Sequence, residues 1–313
     1  MKGQHCMWLA VVALATLFVF VNAGADFAYL IPKRLVRLAA MVIGGVCVAC
    51  SAIAFQTLSG NRILTPAIMG YEAVYLLLQA LLVLGMGVQG LIMLGSDGNF
   101  LLSVLLMLGY SWALHRWLFR DGKNNVYFLL LVGLVLTMVM ATFTQFVQLK
   151  VSPGEFSMLL GYTQASFNRA SPQLLLYSAL LVASVCVLLA RAVPVLDVLA
   201  LGRDQAISLG VDYRRNVRLV LALIAALVAV STSLLGPTAF MGVFVANITY
   251  AMAGTFRHRV TLALGSAVAI TVFIAAQLLV EHVFNYRTTV GILVNLVCGT
   301  YFLVLMVRNR GAA

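Results

Sequence analysis

Ten apolar runs, each near the length of one bilayer crossing, leave this chain few folds to adopt. They fall at about 6–23, 36–57, 67–87, 99–119, 126–147, 172–190, 216–235, 239–253, 260–281 and 288–307. A hydrocarbon core about 30 Å deep is crossed by about 20 helical residues. Lipid offers backbone amides no partner, so each span must satisfy its own. The weaker alternation of a transmembrane barrel, in segments of about ten residues, is not the pattern here. With 63% hydrophobic residues and a mean hydropathy of +1.05, the chain exceeds the roughly 45–50% apolar content of soluble domains. The expectation is an all-α integral membrane protein of ten transmembrane helices, one domain over 1–313. The eighth run is short, and Gly236-Pro237 beside it predicts a broken or tightly turned hairpin rather than two simple spans.

Charge orients the spans. With the N-terminus inside, the cytoplasmic segments hold Lys2, Arg62, Arg116, Arg120, Lys123, Arg191, Arg203, Arg214, Arg215, Arg218, Arg257, Arg259, Arg308 and Arg310. The opposite side holds Lys33, Arg34, Arg37, Lys150, Arg169 and Arg287. That bias follows the positive-inside rule and predicts both termini in the cytoplasm of a multi-pass protein of the bacterial inner membrane. It also reads the net charge of +11 as span-end charge facing the lipid bilayer rather than a nucleic-acid surface. Lys2, an apolar stretch and "VNA" at 21–23 resemble a signal peptide, but a retained first helix makes the topology consistent. Cys6, Cys47, Cys50, Cys186 and Cys298 lie in or beside apolar runs. No histidine or second cysteine pair accompanies Cys47-Val-Ala-Cys50, so the pair reads as small packing residues within a helix.

Catalytic motifs are missing. The sequence has no phosphate loop, no H-E-x-x-H and no G-x-S-x-G, so ATP chemistry and hydrolysis are not expected on this chain. No metal site is expected, and the four histidines sit at span ends, where a solvated ring is the default. Polar groups within the spans are costly and therefore informative. Glu72 is the only acid well inside an apolar run, and Tyr75 and Gln79 share its helical face. A polar pathway and a structural hydrogen bond explain this face equally well. Gln56 closes the second span, and Gln145 lies among Thr142, Thr144 and Gln148 at the outer end of the fifth. These could line a vestibule or mark helix ends. Met241 could offer a soft wall or simple filling.

"LGRDQAISLGVDYRRN" at 201–216 is the long polar stretch of an otherwise apolar chain, and "LLGPTAFMGVFVANI" follows one helix later. Together they resemble the signature region of FecCD-type ABC transporter permeases. "RLVRLAAMVIGGVCVACSAIAFQTLSGNRILTPAIMG" is similar to a second motif of that family, although Val36 replaces its proline and Ala246-Asn247 replaces a Pro-His pair. The likeness covers nearly the whole chain and is nearest to the second permease of catecholate-siderophore systems.

The resemblance implies a type II ABC importer permease fold. It implies as partners two ATPase subunits that bind the ATP, a second and non-identical permease, and a periplasmic siderophore-binding protein. This chain would bind no cofactor. Arg203, Asp204, Ile207, Leu209, Gly210, Arg214 and Arg215 then become an ATPase-coupling element within a cytoplasmic connector at about 191–215. Physically, Gly202 and Gly210 bracket a short helix from about Arg203 to Leu209, with Ile207 and Leu209 free to seat in a pocket. Lys33, Arg34 and Arg37 become docking charges for acidic lobes of the binding protein. Gln56, Glu72, Tyr75, Gln79, Gln145 and Met241 become candidates for the pathway; for an anionic ligand, Glu72 suits an inner gate or a structural bond better than a binding site. Haem and cobalamin permeases share the family. An ion-coupled secondary transporter is the reading from another class, disfavoured by the scarcity of charge at mid-membrane.

Overall fold

The structure, a computed structural model, describes residues 2–21, 27–118, 126–238 and 240–310. All regular structure among them is helical: α1 (Lys2–Phe20), α2 (Phe27–Ser59), α3 (Tyr71–Leu118), α4 (Val126–Gln148), α5 (Pro153–Thr163), α6 (Pro172–Leu199), α7 (Arg203–Ser208), α8 (Tyr213–Leu235), α9 (Met241–Ala253), α10 (His258–His282) and α11 (Val290–Arg310). A 3₁₀ turn, Pro66–Met69, leads from α2 into α3. Arg120 and Lys123, counted above among the inner charges, lie outside the described residues.

Helix α3 is two antiparallel legs, 71–86 and 96–118, separated at Gly87 and Gly95, whose φ values of 64° and 67° interrupt the helix. The contacts require this reversal. Gln79 donates to Asn99 at 3.0 Å and Ser103 at 3.2 Å, while Tyr71 meets Ser111 at 3.1 Å. Counting α3 once, six helices among the described residues are long and apolar enough to cross a bilayer; Gln4–Phe20, Met241–Ala253 and Val290–Val304 are apolar but shorter. Length alone thus certifies fewer crossings than the ten expected.

Helices α2, α8 and α10 form the centre. In their most apolar stretches 72%, 72% and 67% of residues are buried, against 22% in α3 and α4. Small residues allow the close approach: Gly44 lies against Leu235, Gly45 against Ile270 and Gly265 against Ile53. Cys47 and Cys50 are buried in the same packing.

The α8–α9 connection does not reach an end of the bundle. Leu235, the last residue of α8, sits on Gly44, halfway along α2. The chain then turns at Gly236 (φ 99°), where a Cβ would come within 2.9 Å of the Gln164 carbonyl, so only glycine fits. The lid over this break comes from the long segment 148–171, which carries a helix of its own. Ser152 and Glu155 form a capping box that starts α5. After α5 the chain dips inward, Ser166 N donates to Leu235 O at 2.8 Å, and Phe167 packs edge-on against Phe273 at 5.2 Å.

Candidate functional site

At one end of the bundle the connector is shorter than its sequence suggests. Helix α6 continues through Pro194 to Leu199, so only 200–212 remain, built around the two-turn α7. Both flanks are left-handed glycines, Gly202 at φ 103° and Gly210 at φ 81°. Helix α7 ends at Ser208 rather than Leu209. Ala206 is its buried foot, and Val211 N returns to Ala206 O at 3.0 Å. Asp212 then caps α8 by accepting from Arg215 N at 3.1 Å. With its back seated, α7 turns Ile207 and Leu209 outward, 50% and 62% exposed, beside Leu201 at 57%. Arg203 lies over the Tyr213 ring at 5.9 Å. Asp204 in the first turn suits the helix dipole. Arg214 and Arg215 are exposed on the rim. Apolar side chains displayed on a rigid, charge-rimmed knob suit a protein pocket better than water.

Behind α7 lies a junction that the sequence reading missed. His258, only 4% exposed, is not a solvated span-end ring. Its Nδ1 lies 2.6 Å from Asp197 Oδ1, its backbone N donates to the same oxygen at 2.8 Å, and its Nε2 meets Thr57 Oγ1 at 2.7 Å. The network ties together the ends of α6, α10 and α2. The local signal was Asp197, an acid within the last turn of an apolar helix, but its partner is 61 residues away.

At the opposite end, the three expected docking cations behave differently. Arg34 is 9% exposed and its Nη1 donates to the carbonyls of Phe18 at 3.0 Å and Val19 at 3.1 Å, and also to Val21. It caps α1 rather than presenting a charge outward. Arg37 pairs with Glu281 at 3.0 Å, and Gln277 donates to the same carboxylate at 2.6 Å. Tyr286 OH stands 3.5 Å from Arg37; burial, with Glu281 nearby, pushes its phenol above the ordinary value. Lys33 is exposed and bonded to Tyr29.

The six pathway candidates do not form one surface. Gln79 and Tyr75 are buried, Gln79 as the staple of the α3 hairpin. Gln56 is buried and donates to Arg62 O at 2.8 Å, closing the corner before the 3₁₀ turn. Met241 is buried at the start of α9, whereas Gln145 is exposed on the outward face of α4. Glu72 crosses to the α8–α9 break and accepts from Thr238 N at 3.0 Å. Among the described residues no cluster of His, Cys, Asp and Glu has the geometry of a metal site.

An all-helical apolar bundle, with a helix pair broken at mid-depth and a short helix displayed at one end, is the fold of an ABC-importer permease. A metal-chelate type ABC transporter solved in an inward-facing conformation superimposes with a TM-score of 0.85 at 19% identity, covering 97% of this chain and 98% of that one. The chain belongs to the FecCD transport family, whose sequence profile matches residues 6–308. It is similar to the petrobactin import system permease protein YclO of Bacillus subtilis (strain 168), 34% identical across 99% of this chain and 98% of YclO. It is similar also to FatC, a petrobactin import system permease protein of Bacillus anthracis, 31% identical across 99% of this chain and 91% of FatC.

Proposed function

We propose that this chain is a permease subunit of an ATP-driven importer that carries a ferric siderophore of the catecholate-bearing, petrobactin-like class across the inner membrane. The observation that carries the reading is α7. The chain contributes no phosphate loop, yet displays a rigid apolar knob between two left-handed glycines at the end richest in arginine. That is what a transporter driven by a separate motor requires. Ile207 and Leu209 enter a cleft of an ATPase subunit, and Arg203, Asp204, Gly210, Arg214 and Arg215 set the rim and its register. Rim charges tune encounter more than affinity. The α7 end faces the cytoplasm with both termini. The opposite end, with Lys33 and Arg37, receives the binding protein, and a second permease covers the exposed outer face of α4.

Reconstituting the chain with its ATPase, second permease and binding protein in liposomes tests this. ATP-dependent uptake of ferric petrobactin or another ferric catecholate is expected, with little of haem or cobalamin. Ile207→Asp is expected to abolish co-purification of the ATPase while the permease pair stays assembled. An Ile207→Asp variant that retains ATPase and uptake would overturn the coupling role, and preferential uptake of haem would overturn the siderophore assignment.

A further inference from the structure

Where the broken helix pair meets the α2–α3 corner, the bundle holds a cavity of about 30 Å³, lined by Glu72 and by the hydroxyl residues Ser51, Thr65, Ser231, Thr232 and Thr238 among apolar neighbours. The size is that of one water molecule or one small ion. We propose that it is a binding site for a single small alkali cation, sodium in particular.

Charge and lone pairs carry the argument. Glu72 is the only charged residue of the lining, and an unpaired carboxylate this deep in an apolar bundle is costly. Two features of its surroundings offset part of that cost. It sits in the first turn of α3, at the positive end of that helix, and it accepts the Thr238 N–H at 3.0 Å. Thr65, Thr232 and Thr238 are 7%, 1% and 9% exposed, and their hydroxyls make no hydrogen bond among the described residues. A water would join some of these hydroxyls but leave the charge. A protonated Glu72 would remove the charge but leave most of the oxygens unpaired. A small cation meets both needs at once, taking lone pairs from several hard oxygens and balancing the carboxylate. The field agrees, because Ser231 and Thr232 lie in the last turn of α8, whose negative pole ends at the cavity. Carboxylate, hydroxyls and an interrupted helix end are the means by which membrane proteins hold such ions. The donors come from α2, the 65–72 corner, α8 and the α8–α9 break, so a bound ion would fasten the break to the core. The site does not depend on what the pathway carries.

Equilibrium binding of radioactive sodium to the purified full chain with its partner subunits, together with thermal unfolding in sodium, potassium and choline chloride, tests the inference. Sodium at tenfold over its Kd is expected to raise Tm by about 2 °C relative to choline, with saturable binding of one ion per chain. Thr232→Val, which keeps the carboxylate and the side-chain shape, and Glu72→Gln are each expected to lose both signals. The remote substitution Ser184→Ala is expected to keep them. If Glu72→Gln does not fold, Thr232→Val decides alone. Equal Tm in the three salts would overturn the proposal, as would a sodium shift surviving in Thr232→Val. A dependence on pH that is the same in every salt would make the occupant a proton and overturn it too.

Discussion

The guanidinium of Arg34 closes the end of α1, donating to the carbonyls of Phe18, Val19 and Val21, at a helix end where carbonyls lack intrahelical partners. Removing it leaves buried acceptors unpaired, at about 1–3 kcal/mol. Arg34→Met is therefore expected to lower the thermal unfolding temperature in detergent, with Arg34→Lys recovering part of the loss. Docking of the binding protein should weaken only as far as the fold does; a docking defect at unchanged Tm would return Arg34 to the surface role. Arg37 and Glu281 form a largely buried pair, 26% and 6% exposed, for which a double-substitution cycle should give coupling at or above the roughly 1 kcal/mol upper end of exposed pairs. Residues of this kind mark the limit of sequence reading. That charges cluster at 33–37 was legible, because lipid excludes them from the neighbouring runs. Which of them turns inward was not, since only the tertiary position of the end of α1 decides it.

Among the elements, α7 was the most legible, and for a local reason: two glycines bracketed it, and both adopt φ values that a side chain disfavours. Gly210→Ala is expected to cost about 1–2 kcal/mol locally and to displace Leu209. Because α7 meets the core only through Ala206, the global Tm should hold while the affinity for the ATPase falls, as a pull-down titration would measure. Unchanged affinity would mean that α7 adapts to its partner. The α3 hairpin was read as two spans, but its staple was hidden. Gln79 joined a supposed polar face with Glu72 and Tyr75, although its amide is spent on Asn99 and Ser103. Similarly, Pro153 and Gly154 taken alone signal a turn, whereas a proline in the first turn followed by Glu155 also begins a helix. His258 and Asp197 were unreadable as a pair because nothing local links α6 to α10.

For the molecule as a whole, the composition compelled a helical bundle in lipid, and the two long motifs carried the family. The depth of the α8–α9 break was beyond the sequence, because Gly236-Pro237 specifies a turn and not where in the bundle the turn lies. The two ends differ in a way that labelling can measure. In a Cys6→Ser background, Ile207→Cys should react with a membrane-impermeant maleimide only from the cytoplasmic side, and Lys33→Cys only from the other. Labelling of both from one side would reject the assigned orientation.

The mid-depth break also bears on how the protein is made. Thirteen residues of α9 rise only about 20 Å, short of the roughly 30 Å that an independent crossing needs. Helix α9 thus has no stable existence in lipid until α2 and α10 stand on either side of it. A ribosome that has completed α8 and α9 has delivered a hairpin that must wait, held at the insertion machinery, for the next helix to emerge. Chains truncated just before His258 should accordingly be the ones that membrane quality-control proteases remove first.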